Sequence, residues 1–208
     1  IPELMRHAIS RLRTASSAPV LLEIPYDVLT EEIGELDLSA QYDSGYRSSG
    51  DPHDIKNAVT ALLNAASPVI HAGQGILDSE ASEELVEFAE LVQAPVMTIT
   101  TGKSGFPENH PLAIGNGATT ATGMVDHFLA KADLVFGIGS NFYRSLMSVE
   151  IPPGKILIQC TSSEEDLNNE YALEHGVLGD PKLVLKQLID EVIFQTKNTR
   201  PEKNEALL

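Results

Sequence analysis

The sequence is short of cysteine, of cations and of long apolar runs, and it has no tryptophan. Its one cysteine, Cys160, excludes an intrachain disulfide and any metal site built on several thiolates. A lone thiol in an acidic chain fits a reducing cytoplasm. Lys and Arg number 14 against 30 Asp and Glu, for a formal net charge of −16. Such a charge repels phosphate backbones and anionic headgroups, which excludes nucleic acid and membrane surfaces as expected partners. No apolar run approaches the ~20 residues of a membrane span. "IPELMRHAIS" lacks the apolar core and small-residue cleavage site of a secretory leader. No two of the six histidines lie at the helical spacing of metal ligands, and no Gly-x-Ser-x-Gly elbow is present.

What is present is an ordinary apolar content, 42% over 208 residues. That suffices for one large domain, or one domain and a fragment. Residues 3–14 have a helical apolar face of Leu4, Met5, Ala8, Ile9 and Leu12. "VLLEI" then predicts a short strand ended by Pro25. Residues 1–30 read as the tail of a preceding domain. Residues 31–53, rich in Ser, Gly and Asp, read as a linker.

From residue 54 to 195 the pattern is regular. Helices are expected around Ile55–Leu63, over 79–93, over 122–132 and after Asp180, a plausible N-cap ahead of Pro181. A short acidic helix is expected over "SSEEDLNNEYA". Strands are expected at "SPVIHAG", "APVMTIT", "DLVFGIG", "KILIQC" and "HGVLG". Short, continuously apolar strands alternating with helices predict an α/β domain, a Rossmann-like doubly wound parallel sheet of about six strands with helices on both faces. Residues 196–208 form a polar tail.

Ligands of such sheets sit beyond the carboxyl ends of the strands. The loops there supply the candidate nucleotide-binding residues: Gly73, Gln74 and Gly75; Thr101, Gly102 and Lys103; and Gly139, Ser140 and Asn141. Each loop departs from a phosphate-binding motif. "TGKSG" resembles the end of a P-loop, but the position of its first glycine holds Met97. Asp78 stands where the dinucleotide fingerprint after Gly73 and Gly75 asks for a third glycine, and "FGIGSNF" also stops at two. His71 reads as a satisfied core or rim histidine. Cys160, followed by acidic "TSSEED", reads as a small buried residue.

Taken in order, the segments resemble the middle of thiamine-diphosphate-dependent enzymes of the acetolactate synthase, pyruvate oxidase and decarboxylase type. "APVLLEIPYDVL" is similar to the last strand and exit of that family's N-terminal domain. "SPVIHAGQGI", "APVMTITTGKSGFPENHPLAIGN", "KADLVFGIGSNF" and "GVLGDPKLVLKQL" resemble successive segments of its central domain. The resemblance implies a central, largely structural domain excised from a parent enzyme. That parent would act on 2-oxo acids with thiamine diphosphate and Mg²⁺, as a homodimer or homotetramer. The missing N- and C-terminal domains are the implied partners of this chain. The family's Gly-Asp-Gly metal motif and its activating glutamate have no counterpart here, so the fragment is expected to bind neither cofactor and to be inactive. Relatives with FAD usually carry an arginine where Asn141 stands, and many place an acidic residue where Cys160 and Thr161 stand. FAD or ADP is therefore disfavoured, although the Gly73–Gly75 and Thr101–Lys103 loops remain compatible with a nucleotide. The alternatives are an independent FAD-, ADP- or NAD-binding domain and a non-enzymatic interaction module.

Overall fold

The computed structural model describes residues 1–13, 18–34, 46–118, 121–144 and 148–197. The polar tail from 198 onward lies outside them, as do residues 35–45 of the expected linker. The chain divides into two compact units, Ile1–Arg47 and Ser48–Leu208.

The described residues of the first unit form two helices. In α1 (Pro2–Leu12), Pro2 stands in the first turn, where a missing N–H costs nothing. The expected apolar face forms, yet no residue of α1 is buried, and Leu4 and Leu12 are each about half exposed. A second helix, α2 (Tyr26–Leu29), is a single turn. The strand expected at "VLLEI" does not form: residues 20–24 have no regular secondary structure. A strand exists through its ladder of hydrogen bonds, and the described residues of this unit offer no neighbouring strand.

The second unit is a six-stranded parallel sheet. Its strands are β1 (Pro68–Ala72), β2 (Val96–Thr98), β3 (Ala113–Asn116), β4 (Leu134–Ile138), β5 (Ile156–Thr161) and β6 (His175–Leu178). They lie in the order β3-β2-β1-β4-β5-β6, with Ile70 beside both Val96 and Phe136 and Gly137 between His71 and Gln159. The winding reverses between β1 and β4, so a crevice opens there at the carboxyl edge. Strand β3 has no counterpart among the expected strands. It is four residues long, contains Gly115 at φ +107°, and meets β2 through a register shift between Val96 and Met97.

Helices cover both faces, as the alternating pattern requires. Successive strand side chains point to opposite sides. Ile70, Ala72, Leu134, Phe136, Ile138, Ile158 and Cys160 therefore pack with α3 (Pro52–Asn64), α5 (Ser82–Val92) and α7 (Pro181–Thr196). On the other side Val69, Met97, Ile114, Val135 and Leu157 meet Val125 and Leu129 of α6 (Gly123–Lys131), together with Phe142 and Ile151 from the chain after β4. The expected apolar position Met124 is exposed instead. A further single turn, α4 (Gly75–Asp78), follows β1 directly.

The cap expected at Asp180 forms, and Asp51 supplies another. Asp180 accepts from Lys182 N–H (3.1 Å) and Leu183 N–H (3.2 Å) to start α7, and Asp51 accepts from His53 N–H (2.7 Å) to start α3. Gln187 donates to Gly50 O (3.1 Å) and accepts from Gly50 N–H (2.8 Å). Asp180 N–H donates to Ser48 O. Residues 48–50 are thus tied to the head of α7. The expected acidic helix after β5 is only a 3-10 turn at Glu164–Asp166. There Gln159 donates to Asp166 O and Thr161 to the Asp166 carboxylate, bonds that hold the chain in a tight turn. No described helix is long and apolar enough to cross a membrane.

Candidate functional site

Three strand-end loops converge where the sheet reverses its winding. A Cβ on Gly73 would overlap Gly139 O and sit 2.6 Å from Ser140 Cα. One on Gly75 would lie 2.8 Å from Gly139 Cα, and one on Gly102 2.7 Å from Gly73 C. Gly139 itself has φ +58°, and its Cβ would stand 2.7 Å from Ile76 N. The glycines therefore let three backbones touch one another. Their N–H groups are engaged internally: Gly73 with Ile138 O, Gly75 with Gly139 O, Gly102 with Ile99 O and Gly139 with Cys160 O, all at 2.9–3.0 Å.

In front of this seam is a cavity of about 440 Å³. That is within the ordinary range for a small-molecule site. Its buried floor includes His71 and Ser140, and its exposed rim includes Gln74, Thr101 and Asn141. Ile99, Val149, Ile151 and Tyr171 supply apolar surface. The outer wall is held by pairing across the end of β3: Val149 N–H donates to Gly117 O (2.9 Å), and Ala118 bridges Ser148.

His71 is the centre of the polar floor. Its Nδ1 lies 2.9 Å from Ser140 Oγ. Ser140 Oγ also accepts from Phe142 N–H (3.2 Å), and Ser140 O accepts from Gln159 Nε2 (3.1 Å). The imidazole packs against the Phe142 ring, centroids 5.2 Å apart. Gly137 makes room for that ring, because a Cβ there would sit 2.5 Å from Phe142 Cζ. Burial pushes the His71 pKa down to about 4, against a smaller upward pull from its backbone hydrogen bonding. The ring is neutral at physiological pH.

The candidate residues thus separate by role. Gln74, Thr101, Ser140 and Asn141 line one cavity, with Gly73, Gly75, Gly102 and Gly139 behind them as packing. Lys103 does not join them. It lies against a second cavity of about 360 Å³ beside β2 and β3, with Nζ 3.5 Å from the Glu108 carboxylate. Phe142 and Tyr171 are site residues that sequence reasoning passes over. Tyr171 comes from an irregular segment after β5, and nothing local marks it. His71 carried one signal, a polar residue inside an apolar strand. Cys160 is buried at the end of β5, and desolvation pushes its thiol up to about 12.

Residues 55–188 match the model of the family described as thiamine pyrophosphate enzyme, central domain. The chain is 30% identical over 215 residues to a probable acetolactate synthase large subunit of Methanococcus aeolicus, covering 99% of this chain and 35% of that protein. It is 31% identical over 195 residues to a glyoxylate carboligase of Escherichia coli O157:H7, covering 91% of this chain and 32% of that protein. The chain therefore spans about a third of the length of these relatives. Among solved structures it resembles a benzoylformate decarboxylase from Polynucleobacter necessarius. The TM-score is 0.77 at 24% identity, over 98% of this chain and 37% of the other, a likeness of fold.

Proposed function

The chain belongs to the thiamine pyrophosphate enzyme central-domain family, and on that premise we propose that it is the middle, largely structural part of a longer thiamine-diphosphate-dependent enzyme acting on 2-oxo acids. The parent would be an acetolactate synthase-like carboligase or a decarboxylase. The observation that carries the reading is the family match across residues 55–188.

Thiamine diphosphate supplies carbanion stabilisation where it binds, and it needs a divalent metal and donors for its diphosphate. Among the described residues, no three His, Cys, Asp or Glu side chains gather to hold a metal ion. The described lining of the main cavity includes no lysine or arginine. The residues present do not fit the group, so its binding and the chemistry are assigned to parts of the parent outside this span. The role left to this chain is to hold those parts in place, in a parent that is a homodimer or homotetramer. The acidic composition and the single buried thiol support a cytoplasmic setting.

The test compares the full-length enzyme with the 208-residue chain, using pyruvate, thiamine diphosphate and Mg²⁺. The expected result is carbon dioxide release by the full-length enzyme only, with or without a carboligation product. Turnover by the isolated chain would overturn the assignment. A full-length enzyme indifferent to thiamine diphosphate would do the same.

A further inference from the structure

The peptide that closes β3, Asn116–Gly117, joins two residues that can react with each other. The side-chain amide of asparagine is an electrophile, and glycine puts no Cβ in the way of the peptide nitrogen that attacks it. Packing explains why glycine stands here. A Cβ at 117 would overlap Met97 Cε and lie 3.0 Å from Val149 Cγ1, and Met97 is fully buried. The chain therefore carries a labile pair at a position that admits no larger residue without displacing its core.

The folded strand holds the reacting groups apart. Gly117 N–H donates to Thr98 O at 2.7 Å, across the ladder that joins β2 and β3. That bond keeps the attacking nitrogen engaged. Asn116, the ladder partner of Thr98, projects its side chain out of the sheet plane in which Gly117 N points. The leaving group has no such restraint: Asn116 Nδ2 is buried and has no hydrogen-bond partner. What protects the pair is thus the attachment of β3, and that attachment is slight. The strand is outermost in the sheet, has four residues, contains Gly115 at φ +107° and meets β2 through a register shift. Elements of this kind open locally at far lower free energy than the whole domain unfolds.

We infer that Asn116 is a deamidation site gated by the opening of β3, and that its reaction leaves the strand unable to close. Once released from Thr98, Gly117 N gives up its proton to solvent and bonds to Asn116 Cγ. The Cγ–Nδ2 bond breaks, and Nδ2 takes up a proton and leaves as ammonia. Water then opens the five-membered imide at one carbonyl or the other, giving aspartate or isoaspartate at 116. Isoaspartate adds a carbon to the backbone, which moves Gly117 out of register with Thr98. Gly117 O also accepts from Val149 N–H at 2.9 Å, the pairing that holds the outer wall of the main cavity. The isoaspartate chain loses both bonds. The new carboxylate joins Lys103 and Glu108 in the lining of the second cavity. None of this depends on the catalytic role proposed for the parent.

The test incubates the 208-residue chain at mildly alkaline pH, folded and in concentrated urea. The peptide containing 116–117 is followed by mass spectrometry, and isoaspartate is identified by enzymatic methylation. The unfolded chain converts at least about tenfold faster than the folded one, because the folded rate is scaled by the open population. Asn116→Gln removes the reaction in both. Ile114→Val trims a buried side chain of β3 and speeds the folded reaction about two- to tenfold. Val192→Ala, an equal or larger loss in α7, leaves it unchanged. In the purified isoaspartate form, amide exchange at Val149 is faster than in the unaltered chain. Equal rates in the folded and unfolded chains would overturn the inference. So would equal acceleration by the two core variants, which places the reaction in the globally unfolded chain, or Val149 protection that survives conversion.

Discussion

His71 and the seam glycines show how much single residues control in this domain. The histidine is buried and neutral, with a pKa of about 4 against 6.5 when unfolded. Its folded form resists protonation, so its contribution is complete above pH ~6.5, is lost as pH falls toward ~4, and levels off below that. The gap corresponds to about 3 kcal/mol. Urea midpoints measured between neutral and acid pH should therefore fall less steeply in His71→Gln than in the unaltered chain. Parallel slopes would contradict a buried neutral histidine. The glycines give a sharper contrast. Gly139 is both left-handed and blocked by Ile76 N, so Gly139→Ala should cost at least about 3 kcal/mol or prevent folding. Gly123, at the first turn of α6 with nothing near its Cβ, should tolerate alanine with a gain of up to about 1 kcal/mol. Thermal melts of the two variants decide the matter. The glycine doublets were legible in the sequence because a strand followed by Gly-x-Gly is a local pattern. Their use for loop-to-loop packing was not, because Gly73 and Gly139 meet across 66 positions of chain. Tyr171 was hidden for the same reason: its place beside Phe142 is decided by how the segment after β5 folds back.

Elements were legible where local chemistry and burial agree. The Asp180-Pro181 start of α7 could be read directly, since an N-cap carboxylate and a proline in the first turn act within a few residues of each other. Asp180→Ala removes the acceptor of two otherwise unpaired N–H groups and should destabilise the chain by about 1–2 kcal/mol, whereas Asp180→Asn should retain most of the stability. Chemical denaturation of both variants checks this, and equal losses would argue against capping. Strands fared differently because a strand is defined by its partners. The "VLLEI" segment has strand-forming residues and nothing described beside it to pair with. Residues 113–116 have weak strand character, two of four being Gly and Asn, yet form β3 because β2 presents a free edge. In both cases the neighbour overrides the intrinsic preference.

At the scale of the whole chain, the two units differ in what they bury. The core of the second unit is drawn from residues 55–193, all within Ser48–Leu208. Two clusters sandwich a fully parallel sheet, and α7 is tied both to Gly50 and, through Lys182 and Lys186, to Glu84 of α5. Such a body has the means to offset its own conformational entropy. The described residues of the first unit do not show them. Neither of its helices contains a buried residue, and Leu21, Tyr26, Leu29 and Ile33 are each more than half exposed. A unit of 47 residues with most of its described large apolar side chains exposed is below the size at which a core sustains itself. Residues 48–197 expressed alone should therefore melt in one cooperative transition, within a few degrees of the 208-residue chain on the usual scale for a domain of this size. Residues 1–47 alone should give a far-ultraviolet spectrum with little helix, since an isolated helix as short as α1 is marginal in water. A truncated 48–197 that fails to fold would mean that the first unit supplies necessary contacts. A helical, cooperatively melting 1–47 would mean that its exposed apolar residues find one another in solution, and either result would end the division of the chain argued here.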